Sequence, residues 1–278
     1  MVSIGRRARR IGRVAMNYRR GTASLSDLGR LLRVRLSLTP AGRALAPRNG
    51  EGIVNLRGVG PVIVRNGTSD VFVVSELLDG DSYDGLLQHA PADVGLVLDL
   101  GANTGIVTRW LLARFPHAQV IAVEPDPETC AALRRNLAGQ ARATVVEAGV
   151  GGSSGRASMS GTSGAIGRRI DLDKTGSIEV LTVPEVLARA SVSEAATIDI
   201  VKCDVEGAER DLFGSCREWI GRVRTLAVET HDGYTIADVV ADIAAAGSLV
   251  ETREHVAYAE FRTEVGILVS PEPPAATS

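Results

Sequence analysis

The sequence predicts an α/β fold built on a mostly parallel sheet, and three features of the chain lead to this prediction. Apolar runs of strand length alternate with helical patterns between about residues 91 and 270. The first of these runs ends in Asp99 and a glycine-containing turn that opens a helical pattern. The series closes with two strands that no helix separates, which indicates an antiparallel strand at the carboxyl end of the sheet.

The spacing of apolar residues places the core elements. We expect three main helices, over residues 104–115, 127–137 and 235–246. We expect seven strands, over residues 96–99, 119–123, 143–147, 198–203, 224–228, 249–252 and 264–269. A Gly/Ser-rich segment (149–164) and a short apolar run (178–183) interrupt the alternation, and we interpret them as a hairpin insertion.

An N-terminal extension with helices and a hairpin precedes the core. We divide the chain into a basic arm with a helix (1–52), a strand hairpin with a helix (53–90), the core (91–270) and a disordered tail (271–278). Ser24 is expected to cap a helix whose leucine stripe covers apolar surface, formed by Leu25, Leu28, Leu31 and Leu32. Strands are expected at 53–56, 61–64 and 71–74, with a hairpin turn at Asn66-Gly67 between the last two.

Charge is divided unevenly along the chain. Residues 1–50 hold twelve arginines, no lysine and one acid, Asp27, and so carry +11; because the whole chain carries -2, the remainder carries -13. We interpret residues 1–22 as a solvated amphipathic arm, with peripheral contact to an anionic membrane as the alternative. Aromatic residues make up only 4%, so we expect no nucleic-acid partner.

Three cysteines without paired spacing predict a reducing compartment. The sequence shows neither an apolar run of membrane-spanning length nor a signal-peptide pattern. We therefore expect a cytoplasmic protein, with membrane-peripheral attachment as the alternative, and make no prediction of oligomeric state.

The turn after the first core strand reads Gly101-Ala-Asn-Thr-Gly105 and is typical of a Rossmann-like nucleotide site. Small residues let the backbone approach a ligand, and the following helix offers its N-terminal amides. The turn lacks the G-x-G-x-x-G pattern of dinucleotide sites. The stretch 149–155 has similar glycine spacing, but it leads into no convincing helix and is interpreted as a loop.

Two acids near the turn indicate which ligand it binds. Asp99 would repel a pyrophosphate but suits a cation, and Glu124 at the next strand end can accept hydrogen bonds from both hydroxyls of a ribose. S-adenosylmethionine has an ammonium, a sulfonium and no phosphate, so we expect it as the cofactor. The alternatives are a helix-capping role for Asp99 and a solvated strand end for Glu124.

Five blocks of the sequence resemble the FkbM methyltransferase family over roughly residues 53–270: 65–70 (RNGTSD), 98–105 (LDLGANTG), 122–125 (AVEP), 202–209 (KCDVEGAE) and 229–231 (ETH). The resemblance implies a Rossmann-like class I methyltransferase fold. It also implies S-adenosylmethionine-dependent methylation of a hydroxyl on a sugar, glycolipid or polyketide-like small molecule. Cys203 stands where the family usually has an apolar β-branched residue, and we interpret it as a packing residue.

The expected cofactor-binding residues lie at the ends of successive strands: Asp99, Gly101, Ala102, Asn103, Gly105, Glu124, Pro125, Glu147, Ala148 and Asp204. The expected catalytic residues are Asp204, Glu206 and His231, with Asp204 or His231 as the base that removes the acceptor proton. We predict no metal ion. The alternative is a hydrated Mg²⁺ held by Asp204, Glu206 and Glu229.

Two other functions remain open at this point. The enzyme would be an N-methyltransferase if its acceptor atom were nitrogen. A non-catalytic protein with the cofactor fold, recruited through the Arg-rich N-terminus, would need neither Asp204 nor His231.

Overall fold

The computed structural model describes residues 14–42, 50–79, 83–160, 169–172, 175–258 and 263–271. The chain divides into two compact units, the first mainly residues 1–83 and the second beginning at Asp84. The finer division into four segments stays a prediction. Residues 1–13 and 43–49 of the basic segment, and residues 272–278 of the tail expected to be disordered, lie outside the described residues.

The first unit contains a helical stretch over residues 14–21, two further helices and a two-stranded sheet. Helix α1 (Leu25–Ser37) begins after Ser24, whose hydroxyl accepts a hydrogen bond from the Asp27 amide at 3.1 Å, as a capping residue does. Strand β1 (Glu51–Leu56) pairs antiparallel with β2 (Gly60–Arg65) through a turn at residues 57–59.

The predicted strand at residues 71–74 is wrong, because these residues belong to helix α2 (Asp70–Asp79). The hairpin predicted around Asn66-Gly67 is wrong for the same reason: the turn there leads from β2 into a helix. Three apolar residues of α2 recur at three-residue spacing and are buried, namely Val71, Val74 and Leu77. A four-residue apolar run is too short to separate this helical period from a strand.

The leucine stripe of α1 packs differently from the prediction. Leu31 and Val34 are buried with Asp27, whereas Leu25 is 69% and Leu32 is 37% exposed. The Asp27 carboxylate accepts hydrogen bonds from the amide and side chain of Asn55 on β1, at 3.1 and 3.3 Å. This polar anchor selects the buried face, so the expectation that Leu25 and Leu32 cover apolar surface is wrong.

A seven-stranded sheet forms the centre of the second unit. Its strands are β3 (Leu96–Leu100), β4 (Gln119–Glu124), β5 (Ala143–Glu147), β10 (Ile198–Cys203), β11 (Val223–Thr230), β12 (Glu251–Tyr258) and β13 (Thr263–Val269). They are ordered β12-β13-β11-β10-β3-β4-β5. Neighbours from β11 to β5 are parallel, and β13 runs antiparallel to β11 and β12. The mostly parallel sheet with an antiparallel C-terminal strand is confirmed.

Six helices accompany this sheet: α3 (Asp84–His89), α4 (Ile106–Arg114), α5 (Pro127–Asn136), α6 (Val183–Arg189), α7 (Glu209–Gly214) and α8 (Ile236–Ala245). Two 3₁₀ turns, Cys216–Glu218 and Ile220–Arg222, precede β11. The caps explain where two of the predicted helices begin. Asp126 caps α5 ahead of Pro127, and Thr235 forms a capping box with Asp238 at α8.

The predicted hairpin insertion is larger than expected. It forms a separate four-stranded sheet of β6 (Gly149–Val150), β7 (Gly155–Ser160), β8 (Arg169–Leu172) and β9 (Ile178–Leu181), in the order β6-β9-β7-β8. The segment 149–155 is therefore strand and loop, which agrees with its rejection as a nucleotide turn.

The central strands β3 and β10 are buried along their whole length and are direct neighbours. In a parallel sheet their carboxyl ends lie at the same edge, together with those of β4 and β11, and ligands bind at this edge. Cys203 is buried there with a pKa raised well above its ordinary value by desolvation, in agreement with a packing role.

Candidate active site

The glycine turn after β3 is held by backbone hydrogen bonds to the next strand. The amides of Gly101 and Ala102 donate to the carbonyl oxygen of Val123 at 3.0 and 2.9 Å. Gly101, Asn103 and Gly105 have φ angles of 76°, 50° and 77°, which glycine and asparagine adopt most readily. Gly105 precedes α4 without a side-chain cap, which leaves the N-terminal amides of α4 suited to a ligand.

Gly101 also contacts the loop that follows β10. A Cβ atom at Gly101 would lie 1.8 Å from the Asp204 carbonyl oxygen, so this close approach needs glycine. The Asp204 amide in turn donates to the carbonyl oxygen of Leu100 at 3.0 Å. The turn predicted to bind the cofactor and the loop predicted to act on the acceptor are therefore in direct contact.

Glu124 lies at the end of β4, 8% exposed, beside the glycine turn. Its carboxylate accepts hydrogen bonds from the amides of Asn103 and Asp126 at 3.0 and 2.9 Å. Burial raises the pKa of Glu124 to about 7, although these two hydrogen bonds oppose the shift. A carboxylate has about four acceptor sites, so Glu124 can still accept from ligand hydroxyls.

Asp99 is fully buried and engaged by protein groups. Its Oδ2 accepts a hydrogen bond from the Thr108 hydroxyl at 2.6 Å, and its Oδ1 lies 3.5 Å from Lys202 Nζ on the neighbouring strand. Lys202 Nζ also donates to the Gly101 carbonyl oxygen at 2.7 Å. Because Asp99 has no exposed surface, this arrangement favours an indirect role through Lys202 and the turn over direct contact with a cationic group of the cofactor, which the sequence had suggested.

Three further expected cofactor residues lie at the ends of β4 and β5. Ala148 is buried and its amide donates to the Glu124 carbonyl oxygen at 3.2 Å, while Pro125 is half-buried next to Glu124. Glu147 is exposed, and its carboxylate pairs with Arg134 at 2.6 Å. The surface pairing gives Glu147 a structural role, and its part in cofactor binding stays a prediction.

Four carboxylates surround His231, which follows β11. Nδ1 lies 2.8 Å from Glu209 Oε1. Nε2 lies 3.5 Å from Glu206, 3.8 Å from Glu229 and 3.9 Å from Asp204. The structure thus brings the three predicted catalytic residues together at the carboxyl ends of β10 and β11.

The chain reversal after β10 allows this convergence. Glu206 and Gly207 have φ angles of 52° and 101°, and α7 then begins at Glu209. The Gly207 amide donates to Glu209 Oε1 at 3.1 Å, which ties the start of the helix to the loop. The reversal places Glu206 and Glu209 near opposite nitrogens of the same imidazole.

Burial and hydrogen bonding act in opposite directions on His231. Burial lowers its pKa, but the hydrogen bond to Glu209 and the charges of Glu209, Asp204 and Glu206 outweigh burial and raise the pKa to about 9. In this environment the acids stabilise a proton on the imidazole.

Glu209 is the residue that sequence reasoning missed, since an acid at a helix start is readily explained as favourable to the helix dipole. The only sequence signal was its place in the acid-rich block 204–209. Its full burial beside His231 reveals the different role.

The same cluster has donor atoms suited to a divalent cation. One ligand atom from each of Asp204, Glu206 and His231 lies within 4.8 Å of the others, a grouping found in the described part of the chain. Asp204 Oδ1 is buried and has no hydrogen-bond partner among the described residues. A set that includes imidazole fits Zn²⁺ or a similar transition metal as well as the hydrated Mg²⁺ considered from sequence.

Comparison with known proteins identifies the family. The methyltransferase FkbM domain matches residues 99–250, more than half of the chain, and this range contains the glycine turn, Glu124 and the His231 cluster. The chain belongs to the FkbM methyltransferase family. This confirms the resemblance found in the sequence, and the FkbM chain carries an S-adenosylmethionine-dependent methyltransferase domain.

One curated relative of this FkbM chain is the 2-O-methyltransferase NoeI of Sinorhizobium fredii, 28% identical over 155 residues. The match covers 49% of the FkbM chain and 63% of NoeI, so the chain spans less than two thirds of that relative's length.

Two solved structures show weaker similarity to the FkbM chain. A SAM-dependent methyltransferase from Agrobacterium tumefaciens is 14% identical with a TM-score of 0.46, covering 80% of this chain and 70% of that one. TrmK of M. capricolum, in complex with S-adenosyl-homocysteine, is 7% identical with a TM-score of 0.41, covering 67% and 66%. These similarities are too low to indicate a substrate. Within the described residues, no helix has the length and apolar character needed to cross a membrane.

Proposed function

We propose that this FkbM protein transfers a methyl group from S-adenosylmethionine to a hydroxyl of a sugar, glycolipid or polyketide-like small molecule. The contact between the glycine turn and the Asp204 loop carries the proposal, because a cofactor bound at the turn would lie beside the His231 cluster. The relative NoeI is a 2-O-methyltransferase, which favours oxygen as the acceptor atom.

The turn and Glu124 support an adenosine-containing cofactor. Its ligand-facing groups would be the N-terminal amides of α4 and the Glu124 carboxylate, and the nearby Lys202 ammonium is held by Gly101 and Asp99. We propose that Glu124 accepts hydrogen bonds from the ribose hydroxyls. The rest of the cofactor-binding site would be formed by residues that are small or donate backbone hydrogen bonds: Ala102, Asn103, Gly105, Pro125 and Ala148. The bound cofactor would supply an electrophilic methyl group on a sulfonium.

The acceptor side needs a group that takes the hydroxyl proton as the oxygen–methyl bond forms. We propose His231 Nε2 for this role in the neutral form of the imidazole, because Glu209 fixes Nδ1 and leaves Nε2 towards the acids of the loop. Since the pKa of His231 is raised to about 9, turnover through this base should rise with pH up to about 9. Asp204 is the other candidate base, and its buried Oδ1 lacks a hydrogen-bond partner within the described residues. Glu206 would bind and orient the acceptor hydroxyl.

A second candidate mechanism places a divalent cation among Asp204, Glu206 and His231. The convergence of their donor atoms within 4.8 Å favours it. A cation there would lower the pKa of a coordinated hydroxyl and replace the base. Turnover that survives EDTA treatment unchanged would rule out this candidate, whereas loss of turnover restored by added metal would support it.

Calorimetry with S-adenosyl-homocysteine tests the cofactor assignment. We expect binding to the full chain that weakens at least about tenfold in Glu124→Ala, because a buried acceptor of two ribose hydrogen bonds is lost. Exposed Glu218→Ala is the control and should bind like the wild type. Binding of NAD in place of S-adenosyl-homocysteine would overturn the assignment.

Methyl transfer from labelled S-adenosylmethionine to a panel of hydroxylated and amino acceptors tests the reaction. His231→Ala should keep S-adenosyl-homocysteine binding, and at least one of His231→Ala and Asp204→Asn should lose turnover by about 100-fold or more. Full turnover in both variants would eliminate both base candidates. If the label appeared on nitrogen alone, the protein would be an N-methyltransferase. If no acceptor of either class received the label, a non-catalytic binding protein would be favoured.

A further inference from the structure

Helix α1 of the first unit presents an apolar face to solvent. Leu25, Leu32 and Leu36 are 69%, 37% and 54% exposed, although large apolar side chains are usually buried. Together with Gly29 they recur at spacings of four, three and four residues, which places all four positions on one side of the helix. We call this surface the leucine face.

Packing of the opposite side prevents the leucine face from turning inward. Leu31 is fully buried and Val34 is 4% exposed, and Asp27 is anchored to Asn55 on β1. Rotating α1 to cover the leucines would expose both apolar residues and break the Asp27 hydrogen bonds. At Gly29, in the middle of the face, nothing lies within 4 Å of the position of an added Cβ atom.

The exposed charged side chains within residues 14–42 are all arginines. Arg33 is exposed on α1 next to Leu32, and Arg19 and Arg20 are exposed on the preceding helical stretch. The single acid in residues 1–50 is Asp27, which is buried and engaged by Ser24 and Asn55. This segment of the chain, with its net charge of +11, therefore presents no exposed acid among its described residues.

We infer that the leucine face of α1, with Arg33 at its border, docks on an anionic phospholipid surface. A bilayer surface offers an apolar acyl boundary below a layer of phosphate headgroups. The leucine side chains would enter the acyl boundary, and the arginine guanidinium groups beside them would bind the phosphates. This surface is distinct from residues 1–22, which carry the membrane contact considered from sequence.

Charge selects the lipid surface over other occupants. A second copy docked through its own leucine face would bring two segments of +11 together, which is unfavourable. A nucleic acid would attract the arginines, but its phosphate backbone gives the leucines no apolar layer. An anionic bilayer satisfies both groups, and its binding does not depend on the proposed methyl transfer.

Co-sedimentation of the full chain with vesicles tests the inference. We expect binding to vesicles of phosphatidylglycerol and phosphatidylcholine in equal parts, and little binding to phosphatidylcholine alone. The variant Leu25→Ser/Leu36→Ser should lower the partition coefficient by roughly tenfold or more, since two leucines that would enter the acyl boundary are removed. Arg33→Ala should lower it by roughly fivefold.

Leu249→Ser is the matched control, because Leu249 is 72% exposed but lies in the second unit. It should sediment like the wild type, and all variants should show a cooperative urea-unfolding transition, which shows that they are folded. Failure of the wild type to bind anionic vesicles would overturn the inference, as would unchanged binding of the double leucine variant. A dimer in ultracentrifugation that this variant dissociates, without vesicle binding, would assign the face to self-association instead.

Discussion

Glu209 and His231 form a buried hydrogen-bonded pair, with Oε1 of the carboxylate 2.8 Å from Nδ1 of the imidazole. Glu209 has no exposed surface and also accepts from the Gly207 amide at 3.1 Å. A carboxylate at Nδ1 favours the proton on that nitrogen and leaves Nε2 as the atom that faces Asp204 and Glu206. The orientation of the proposed base is therefore set by a residue that need not touch the acceptor.

The substitution Glu209→Gln should separate orientation from cofactor binding. An amide would keep the size of the side chain but weaken the hydrogen bond that orients the imidazole, so we expect methyl transfer measured at pH 9, near the raised pKa of His231, to fall about 10- to 100-fold. The dissociation constant of S-adenosyl-homocysteine, measured by calorimetry, should change less than about twofold. Exposed Glu218→Gln serves as the control. Unchanged turnover would contradict the role, and a parallel loss of cofactor binding would show that Glu209 only maintains the fold.

Cofactor affinity should depend on pH through Glu124, whose pKa burial raises to about 7. The ionised carboxylate accepts ribose hydroxyls and the protonated form has lost acceptor capacity, so binding should favour the ionised form. Affinity should then rise with pH: about tenfold more Glu124 is ionised at pH 8 than at pH 6. Calorimetric titration of S-adenosyl-homocysteine at the two pH values measures this change.

Glu124→Gln provides the control for that titration, because an amide does not ionise in this range. Its affinity should be weaker than that of the wild type at pH 8 and nearly constant between pH 6 and 8. A wild-type affinity that is flat over this interval would show that the charge of Glu124 does not take part in binding.

Gly101→Ala should destabilise the protein through a steric clash and not through backbone strain alone. The new Cβ atom would lie 1.8 Å from the Asp204 carbonyl oxygen. Gly139 is a matched control, because its φ of 77° is nearly that of Gly101 (76°) but no atom lies within 4 Å of an added Cβ. We expect about 1 kcal/mol of lost unfolding free energy in Gly139→Ala and at least about 2 kcal/mol more in Gly101→Ala. Urea denaturation measures both, and equal losses would contradict the clash.

Lys202→Met should leave the Asp99 charge buried beside an apolar side chain. Lys202 Nζ lies 3.5 Å from Asp99 Oδ1, and both side chains are almost inaccessible. Breaking one half of a buried ion pair costs about 3–5 kcal/mol. The double variant Lys202→Met/Asp99→Asn removes the uncompensated charge and keeps an acceptor for Thr108, so it should regain most of the lost stability in urea denaturation. Additive losses in the double variant would show that the two charges are not coupled.

Sequence patterns were sufficient for the elements that face the buried sheet. The runs at 96–100 and 198–203 are apolar over most of a strand and border a glycine turn or an acid-rich loop, so their type and direction follow from local information. The sequence places Asp99 and Lys202 each in a strand but does not show that they are neighbours. Their pairing across β3 and β10 is visible only in the folded sheet.

Sequence patterns gave the wrong prediction where a short apolar run is compatible with two kinds of secondary structure or with two buried faces. Residues 71–74 suit a strand as well as a helix, and the buried spacing of Val71, Val74 and Leu77 decides for the helix only after the chain has folded. Leu25 and Leu32 suit a buried stripe, but the hydrogen bonds of Asp27 to Asn55 select another face of α1. In both cases a contact with a distant part of the chain outweighs the local preference.

Local patterns in the sequence were enough to predict the family, the succession of strands and helices in the core, and the turn and Glu124 that we propose bind the methyl donor. These features depend on residue types at fixed short spacings. The folded structure was needed to show that Glu209 hydrogen-bonds to His231, that Asp99 pairs with Lys202, and that Leu25, Leu32 and Leu36 of α1 are exposed. Such relationships depend on which side chains meet across the fold and which of them water can reach, and residues far apart in the chain settle both.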